Sequence, residues 1–275
     1  MRPDPLMEKK NQLEARIRSF ETLAVAFSGG VDSSFLAAVA REVLGEKMVA
    51  LKAVSPIHPQ REHRAALKFA VSFGIPLTVI ETDELKVPGF SDNPVNRCYL
   101  CKRYLMSLMV ERAGEMGFSH VAHGANLDDL DDYRPGFKAA EEIGIVSPLI
   151  DAGFTKADIR NLSRKMGLST WNRPAMACLA SRVPYRTRLS ARVLERVQQA
   201  ESVLYDLGVK VCRVRHHGTV ARIEIDPDGI SGLAEKNMRE RLVRKLRAVG
   251  YRHICLDLEG YVRGSLNRGL EKNDL

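Results

Sequence analysis

The sequence predicts an α/β protein: a parallel sheet covered by helices on both faces, followed by a smaller α+β domain. Over roughly the first 120 residues, short runs of Val, Ile, Leu and Ala alternate with segments of helical periodicity, the pattern that builds parallel sheets. Past about residue 182 the pattern changes, and two closely spaced alternating runs sit between helical stretches. The composition, 275 residues with 45% hydrophobic and 28% charged, is that of a folded globular chain and sets aside disordered, collagen-like and coiled-coil alternatives.

In chain order, an amphipathic helix over about 6–19 leads in. Segments 22–27, 48–54, 76–82 and 120–125 read as buried strands, and 33–44, 60–74 and 102–117 as the helices between them. A further helix over 155–167 has Thr155 as its N-cap and Gly167 as its stop. Beyond a proline-containing stretch over 173–185, a helix over 190–207 carries the apolar stripe Val193, Val197, Ala200, Leu204 and Leu207. Runs 209–215 and 220–226 then form a hairpin, with His216 and His217 in its exposed connection. One helix over 230–249 and a strand over 252–258 complete an α-β-β-α-β unit, so the domains are expected at 1–182 and 183–275.

The net charge of +8 is concentrated at one end: residues 181–275 hold 19 basic and 12 acidic side chains, residues 1–180 hold 23 and 22. No apolar run approaches the ~18 residues of a membrane helix. The first ten residues lack the apolar core of a signal peptide, so a cytoplasmic location without membrane contact is expected. Five cysteines, an odd number, argue against a disulfide framework there.

Two groups of residues carry chemistry. Ser28-Gly29-Gly30-Val31-Asp32-Ser33-Ser34 lies directly between the first strand and its helix. Paired glycines let backbone approach an anion, and the hydroxyls and free N–H groups of a helix start can surround a phosphate. The Gly-Lys-[Ser/Thr] ending of a Walker loop is missing. The second group is Cys98 and Cys101 at i, i+3 spacing just before a helix, with Cys178 farther along. A shared metal or cluster, a redox pair and a zinc site all fit the pair alone. Three thiolates suit a [4Fe-4S] cluster with one open iron able to hold a loose sulfide, whereas structural zinc demands a fourth ligand. Cys212 alternates with Val214 on an apolar face and reads as core, and Cys255 reads as structural. The acidic run 128–132 reads as a metal cluster or a polar loop, and Trp171 as packing.

The string SGGVDS resembles the PP-loop of the ATP pyrophosphatases. Together with RCYLCK (97–102), GANLDDLDDYRPGFKAA (124–140), PAMACLASR (174–182) and DLEGYVRGSLN (257–267), the chain resembles the LarE family of ATP-dependent sulfurtransferases. That family inserts sulfur into the nickel-pincer nucleotide cofactor. The resemblance implies a Rossmann-like, adenine nucleotide alpha-hydrolase-like domain that binds ATP and Mg²⁺. Ser28, Gly29, Gly30, Ser33 and Ser34 would hold phosphate oxygens, Asp32 would position Mg²⁺, Ala53 would meet the adenine, and Gly124 with Asn126 would flank the ribose and α-phosphate. A carboxylate of a pyridinium-dicarboxylate mononucleotide would become an acyl adenylate, and sulfur would then displace AMP. In one branch of the family the cysteine matching Cys178 is sacrificed; in the other, three cysteines hold an iron-sulfur cluster carrying an extra sulfide. With Cys98, Cys101 and Cys178 all present, this chain resembles the cluster branch.

For the substrate phosphate the resemblance points to Arg213 and Arg215, which project from one strand face roughly 7 Å apart at the usual rise, with Lys102 as a third basic contact. Glu201 and Glu224 are candidates for a divalent ion, or else part of a charged, salt-bridged sheet face. A homo-oligomer and other proteins of the same cofactor pathway are the expected partners. A tRNA thiolase with a three-cysteine cluster is the main alternative, favoured by the +7 C-terminal third but not by the 6% aromatic content. An ammonia-using PP-loop synthetase leaves the cysteines without a role, and a nucleotide-sensing regulator would release no pyrophosphate.

Overall fold

A computed structural model describes residues 4–130, 135–174, 177–262 and 264–270. Contacts divide the chain into two units. Residues up to Asp83 and from Asn96 onward form the first, and Glu84–Val95 joins everything from Ala177 on in the second. The division therefore falls near 177 rather than 182, and a short internal segment crosses to the second unit.

The first unit contains α1 (Pro5–Arg18), β1 (Leu23–Ala26), α2 (Val31–Leu44), β2 (Met48–Val54), α3 (Gln60–Ser72), β3 (Leu77–Glu81), α4 (Arg97–Glu115), β4 (Val121–Ala122), α5 (Pro135–Glu142), α6 (Pro148–Asp151) and α7 (Lys156–Lys165). The strands form one parallel sheet in the order β3-β2-β1-β4. Strand alternation splits the core in two. Leu23, Val25, Met48 and Ala50 pack with α1, α2, α3 and α7 on one face, while Ala24, Val49, Leu51 and Ala53 meet Leu105, Met106 and Met109 of α4 on the other. Each fully buried Leu or Phe here contributes about 1.5–3 kcal/mol.

Several expectations need correction. Segment 76–82 is not a buried strand: β3 is the sheet edge, half-buried along its length, with Val79 exposed. Of 120–125 only Val121 and Ala122 pair with β1, and Ala122 also bridges Val146 on the other side. α4 starts at Arg97, so Cys98 and Cys101 lie inside its first turns rather than before it. α5 and α6 were not anticipated. α7 has the expected Thr155 cap, in a reciprocal box with Asp158, and Gly167 follows it with φ +69°. Trp171 is exposed, beneath the Arg164 guanidinium, instead of packed in the core.

In the second unit, α8 (Ala191–Asp206) precedes the antiparallel pair β5 (Cys212–His217) and β6 (Val220–Ile225), followed by α9 (Ile230–Ala234), α10 (Lys236–Val249) and β7 (His253–Leu256) beside β6. The helix expected over 230–249 is two, broken at Glu235 with ψ 142°. On α8, Leu194 rather than Val193 is buried with Val197, Ala200 and Leu204. The hairpin turn is only Gly218-Thr219, with Gly218 at φ +63°. His216 is therefore a strand residue, buried against the Tyr251 hydroxyl at 3.1 Å, and only His217 of the pair is exposed. Cys212 is core, as expected; Cys255 is exposed.

Candidate functional site

β1 ends at the loop Ser28-Gly29-Gly30, and Gly30 is the N-cap of α2 with no side-chain cap bond. The N–H groups of the first helical turn are thus left for another acceptor. Gly29 has φ +85°, and a Cβ there would lie 2.6 Å from the Ala66 Cβ of α3, so only glycine fits. The Ser28 hydroxyl pairs with that of Ser33 at 3.0 Å and accepts the Gly30 N–H at 3.2 Å. Ser34 is fully buried in α2.

Gly124 lies against the same helix start. A Cβ on it would be 2.8 Å from the Ser33 amide nitrogen and 3.0 Å from the Asp32 carbonyl carbon. Asp32 pairs with the Lys156 ammonium through Oδ2. Its Oδ1 is buried with no hydrogen-bond partner among the described residues. Burial pushes the Asp32 carboxyl above its usual range, and Lys156 opposes that rise. A buried carboxylate oxygen beside a phosphate-type loop fits Mg²⁺, which is commonly held by one or two carboxylates plus substrate phosphates.

The neighbouring acids serve local structure. The Asn126 amide, fully buried, accepts the Asp128 N–H, while Asp129 takes the Asn126 N–H and Nδ2. Asp128 accepts the Lys156 N–H at 2.9 Å. The polar-loop reading holds for these two; Asp131 and Asp132 lie outside the described residues.

Cys98, Cys101 and Lys102 occupy the first two turns of α4 in this unit. Cys98 is exposed and Cys101 half-buried against the α4 side of the sheet. Lys102 is felt at the carboxyl ends of two strands. Burial and then the Lys52 and Lys102 charges push His58 down to about 4, and burial and then Lys102 do the same to His123. Gly136 of α5 meets the Lys102 side chain, where an added Cβ would be 2.7 Å from Cγ. Ala53 is buried near the end of β2.

In the second unit, Cys178 caps a 3-10 turn over Leu179–Arg182, and its carbonyl accepts from Ser181 Oγ and Arg182. Arg182, 2% exposed, forks onto both oxygens of Glu201 at 2.8 and 3.1 Å. Glu201 also accepts the Val214 N–H. Arg215 forks onto both oxygens of Glu224 at 2.9 and 2.7 Å and donates to Ser181 O and Ser265 Oγ. Arg213 lies over the Tyr261 ring. The expectation that Glu201 and Glu224 hold a divalent ion meets a competing arrangement, because arginine occupies both oxygens of each. Among the described residues no group of three or more His, Cys, Asp or Glu converges on a metal position. Arg215, Arg222, Arg268 and His217, with Glu224 and Asp257, help line a cavity of about 380 Å³.

The family model for NAD synthase matches residues 8–102, the segment carrying the loop and the first three strands. An uncharacterised protein of Synechocystis sp. is 39% identical over 267 residues, 97% of this chain and all of the relative. The pyridinium-3,5-bisthiocarboxylic acid mononucleotide synthase of Lactiplantibacillus plantarum is 34% identical over 271 residues, 98% of each chain. This chain belongs to that synthase family. The tRNA-specific 2-thiouridylase of Desulforamulus reducens is more distant, 26% identical over 61% of this chain and 57% of its own.

As a member of the synthase family, the chain has an ATP-pyrophosphatase loop, and three cations around it escaped the sequence reading. Lys156 follows the Thr155 cap, Arg173 lies in an irregular stretch, and Lys52 is the one charge in the apolar run 48–54. Only Lys52 left a signal, a charged residue in the middle of a buried strand. Among the cysteines the environments differ sharply. Burial pushes the Cys212 thiol up to about 12. Native alkylation at neutral pH is therefore expected to label Cys255 and to spare Cys212 until the chain unfolds, as peptide mass mapping would read. Labelling of Cys212 at the same rate as Cys255 would contradict its core position.

Proposed function

We propose that this chain is an ATP-dependent sulfurtransferase acting on a pyridinium-dicarboxylate mononucleotide in nickel-pincer cofactor biosynthesis. The full-length relationship to the mononucleotide synthase carries this reading, and the loop geometry supports its ATP half. A substrate carboxylate oxygen attacks the α-phosphorus of ATP, the bond to pyrophosphate breaks, and an acyl adenylate forms. A sulfur nucleophile then adds to the acyl carbon and AMP leaves, giving a thiocarboxylate.

Ser28, Gly29, Gly30, Ser33 and Ser34 bind the phosphates, with Ala53 and Gly124 beside the nucleoside. Asp32 is the residue that would hold Mg²⁺, which supplies charge neutralisation on the leaving pyrophosphate. Arg213 and Arg215 take the substrate phosphate, with Lys102 as a further basic contact. Cys98, Cys101 and Cys178 would hold a [4Fe-4S] cluster, whose open iron supplies a bound sulfide. Cys98 and Cys101, thiols one turn apart on one helix, support the pair as ligands, and Cys178 joins them on the family resemblance alone. The reading includes a cytoplasmic homo-oligomer working with other proteins of the pathway.

Anaerobically purified protein is expected to contain iron and sulfide with broad visible absorbance, both lost in Cys98→Ala. With Mg–ATP and the dicarboxylate mononucleotide it is expected to release pyrophosphate and AMP and to yield the thiocarboxylate by mass spectrometry. Iron-free protein in which Cys178 turns into dehydroalanine would replace the cluster with the sacrificial route. Thiolation of tRNA in place of the mononucleotide would overturn the assignment altogether.

A further inference from the structure

β2 is buried along almost its whole length, and Lys52 within it is 5% exposed. A charge in such a place costs stability unless something gains from it. Its ammonium donates to the Ser28 carbonyl at 3.2 Å. The next carbonyl of the loop is held in the same manner: Arg173 donates to Gly29 O at 2.9 Å and, through its other terminal nitrogen, to Glu62 at 2.6 Å. The Arg173 carbonyl is itself fixed by Arg160 at 2.9 Å.

We propose that Lys52 and Arg173 are positioning residues that draw two successive loop carbonyls back and so aim the following N–H groups at the ATP phosphates. The step follows from peptide geometry. In a planar trans peptide the carbonyl of one residue and the N–H of the next point in opposite directions. With Ser28 O on Lys52 and Gly29 O on Arg173, the Gly29 N–H faces away from Lys52 and the Gly30 N–H away from Arg173, toward the loop's open side, where the Ser28 hydroxyl accepts the Gly30 N–H at 3.2 Å and an anion would take its place. Preorganised amides cost no reorientation when an anion arrives, and two cations behind them add positive potential without touching it. Gly29, at φ +85°, is the residue that permits this pair of orientations.

Lys52 also predicts a pH signature. Burial holds it down to about 8, with Glu62 opposing and Arg173 adding to that depression; His58 and His63 are the titratable neighbours that feel its charge. A bound polyphosphate favours the charged lysine. Binding near pH 8 therefore takes up a proton, and affinity falls as pH rises through that value.

The inference rests on the ATP half of the proposed function, and the test separates the two. Mg–ATP binding to the full-length protein would be measured by calorimetry in buffers of different ionisation enthalpy, alongside thermal melts, for wild type, Lys52→Met and Arg173→Met. Each variant is expected to lose about tenfold or more in affinity, the scale of one hydrogen bond to a charged group. Lys52→Met is expected to melt no lower than wild type, since it removes a desolvated charge, and to lose the proton uptake near pH 8. Unchanged affinity in both variants would overturn the inference. So would an affinity loss in Lys52→Met matched by a lower melting temperature with proton uptake intact, which marks a merely structural lysine. Wild-type protein that does not bind Mg–ATP would overturn the functional reading itself.

Discussion

Gly29→Ala is expected to cost Mg–ATP binding about two orders of magnitude. Two separate penalties act on one atom. The backbone holds φ +85°, where an L side chain costs about 1–2 kcal/mol. The new Cβ also meets the Ala66 Cβ at 2.6 Å, and overpacking of this kind costs about 1–3 kcal/mol. The loop can relieve both only by moving, and moving carries the Ser28 and Gly29 carbonyls away from their cations. Adding Ala66→Gly removes the clash but not the torsional strain, so the double variant is expected to regain part of the affinity. Calorimetric titration of the three proteins checks this. Wild-type affinity in Gly29→Ala, or no recovery in the double variant, would contradict the account. Gly124→Ala offers no such relief, because its Cβ would press on the Ser33 and Asp32 backbone.

The second large effect lies in the other unit. Glu201→Ala is expected to destabilise it by about 3–5 kcal/mol, the usual result of leaving a buried arginine unpaired. Arg182 is 2% exposed and has both Glu201 oxygens as partners, so water cannot take over. Replacing both members with apolar residues of similar volume, Arg182→Met with Glu201→Leu, is expected to restore most of the loss. Denaturant unfolding of the single and double variants measures it; a single variant as stable as wild type would show that the pair is not desolvated in solution. The Arg215 and Glu224 pair has the same construction on the opposite face of the hairpin.

Much of the fold was legible because strand alternation and helical periodicity are local properties. The strands 22–27 and 48–54, the Thr155 cap and the hairpin all follow from patterns within a few residues of themselves. The departures come from partners distant in sequence. Whether 76–82 is central or at an edge depends on what pairs with its second side, and nothing in its own residues says so. Val193 and Leu194 are both apolar, and the direction of the core decides between them. At the site, SGGVDS was readable because glycine at positive φ and a bare helix start have few uses other than an anion. Arg173 was not, because its importance lies in donating to the Gly29 carbonyl 144 residues away, a relation that leaves no local pattern. The arginine partners of Glu201 and Glu224, 19 and 9 residues away, belong to the salt-bridged alternative that the sequence already offered beside an ion site.

The short segment Glu84–Val95 has a consequence for synthesis. Asn93 is fully buried in a left-handed conformation, and its amide donates to the carbonyls of Val183 and Pro184. Those acceptors leave the ribosome some ninety residues later, roughly 5 to 20 s at ordinary elongation rates. During that interval Asn93 lacks the acceptors of its side-chain amide. A chain cut at 182 would never supply them. The dividing line between the two units is thus a matter of timing as well as space.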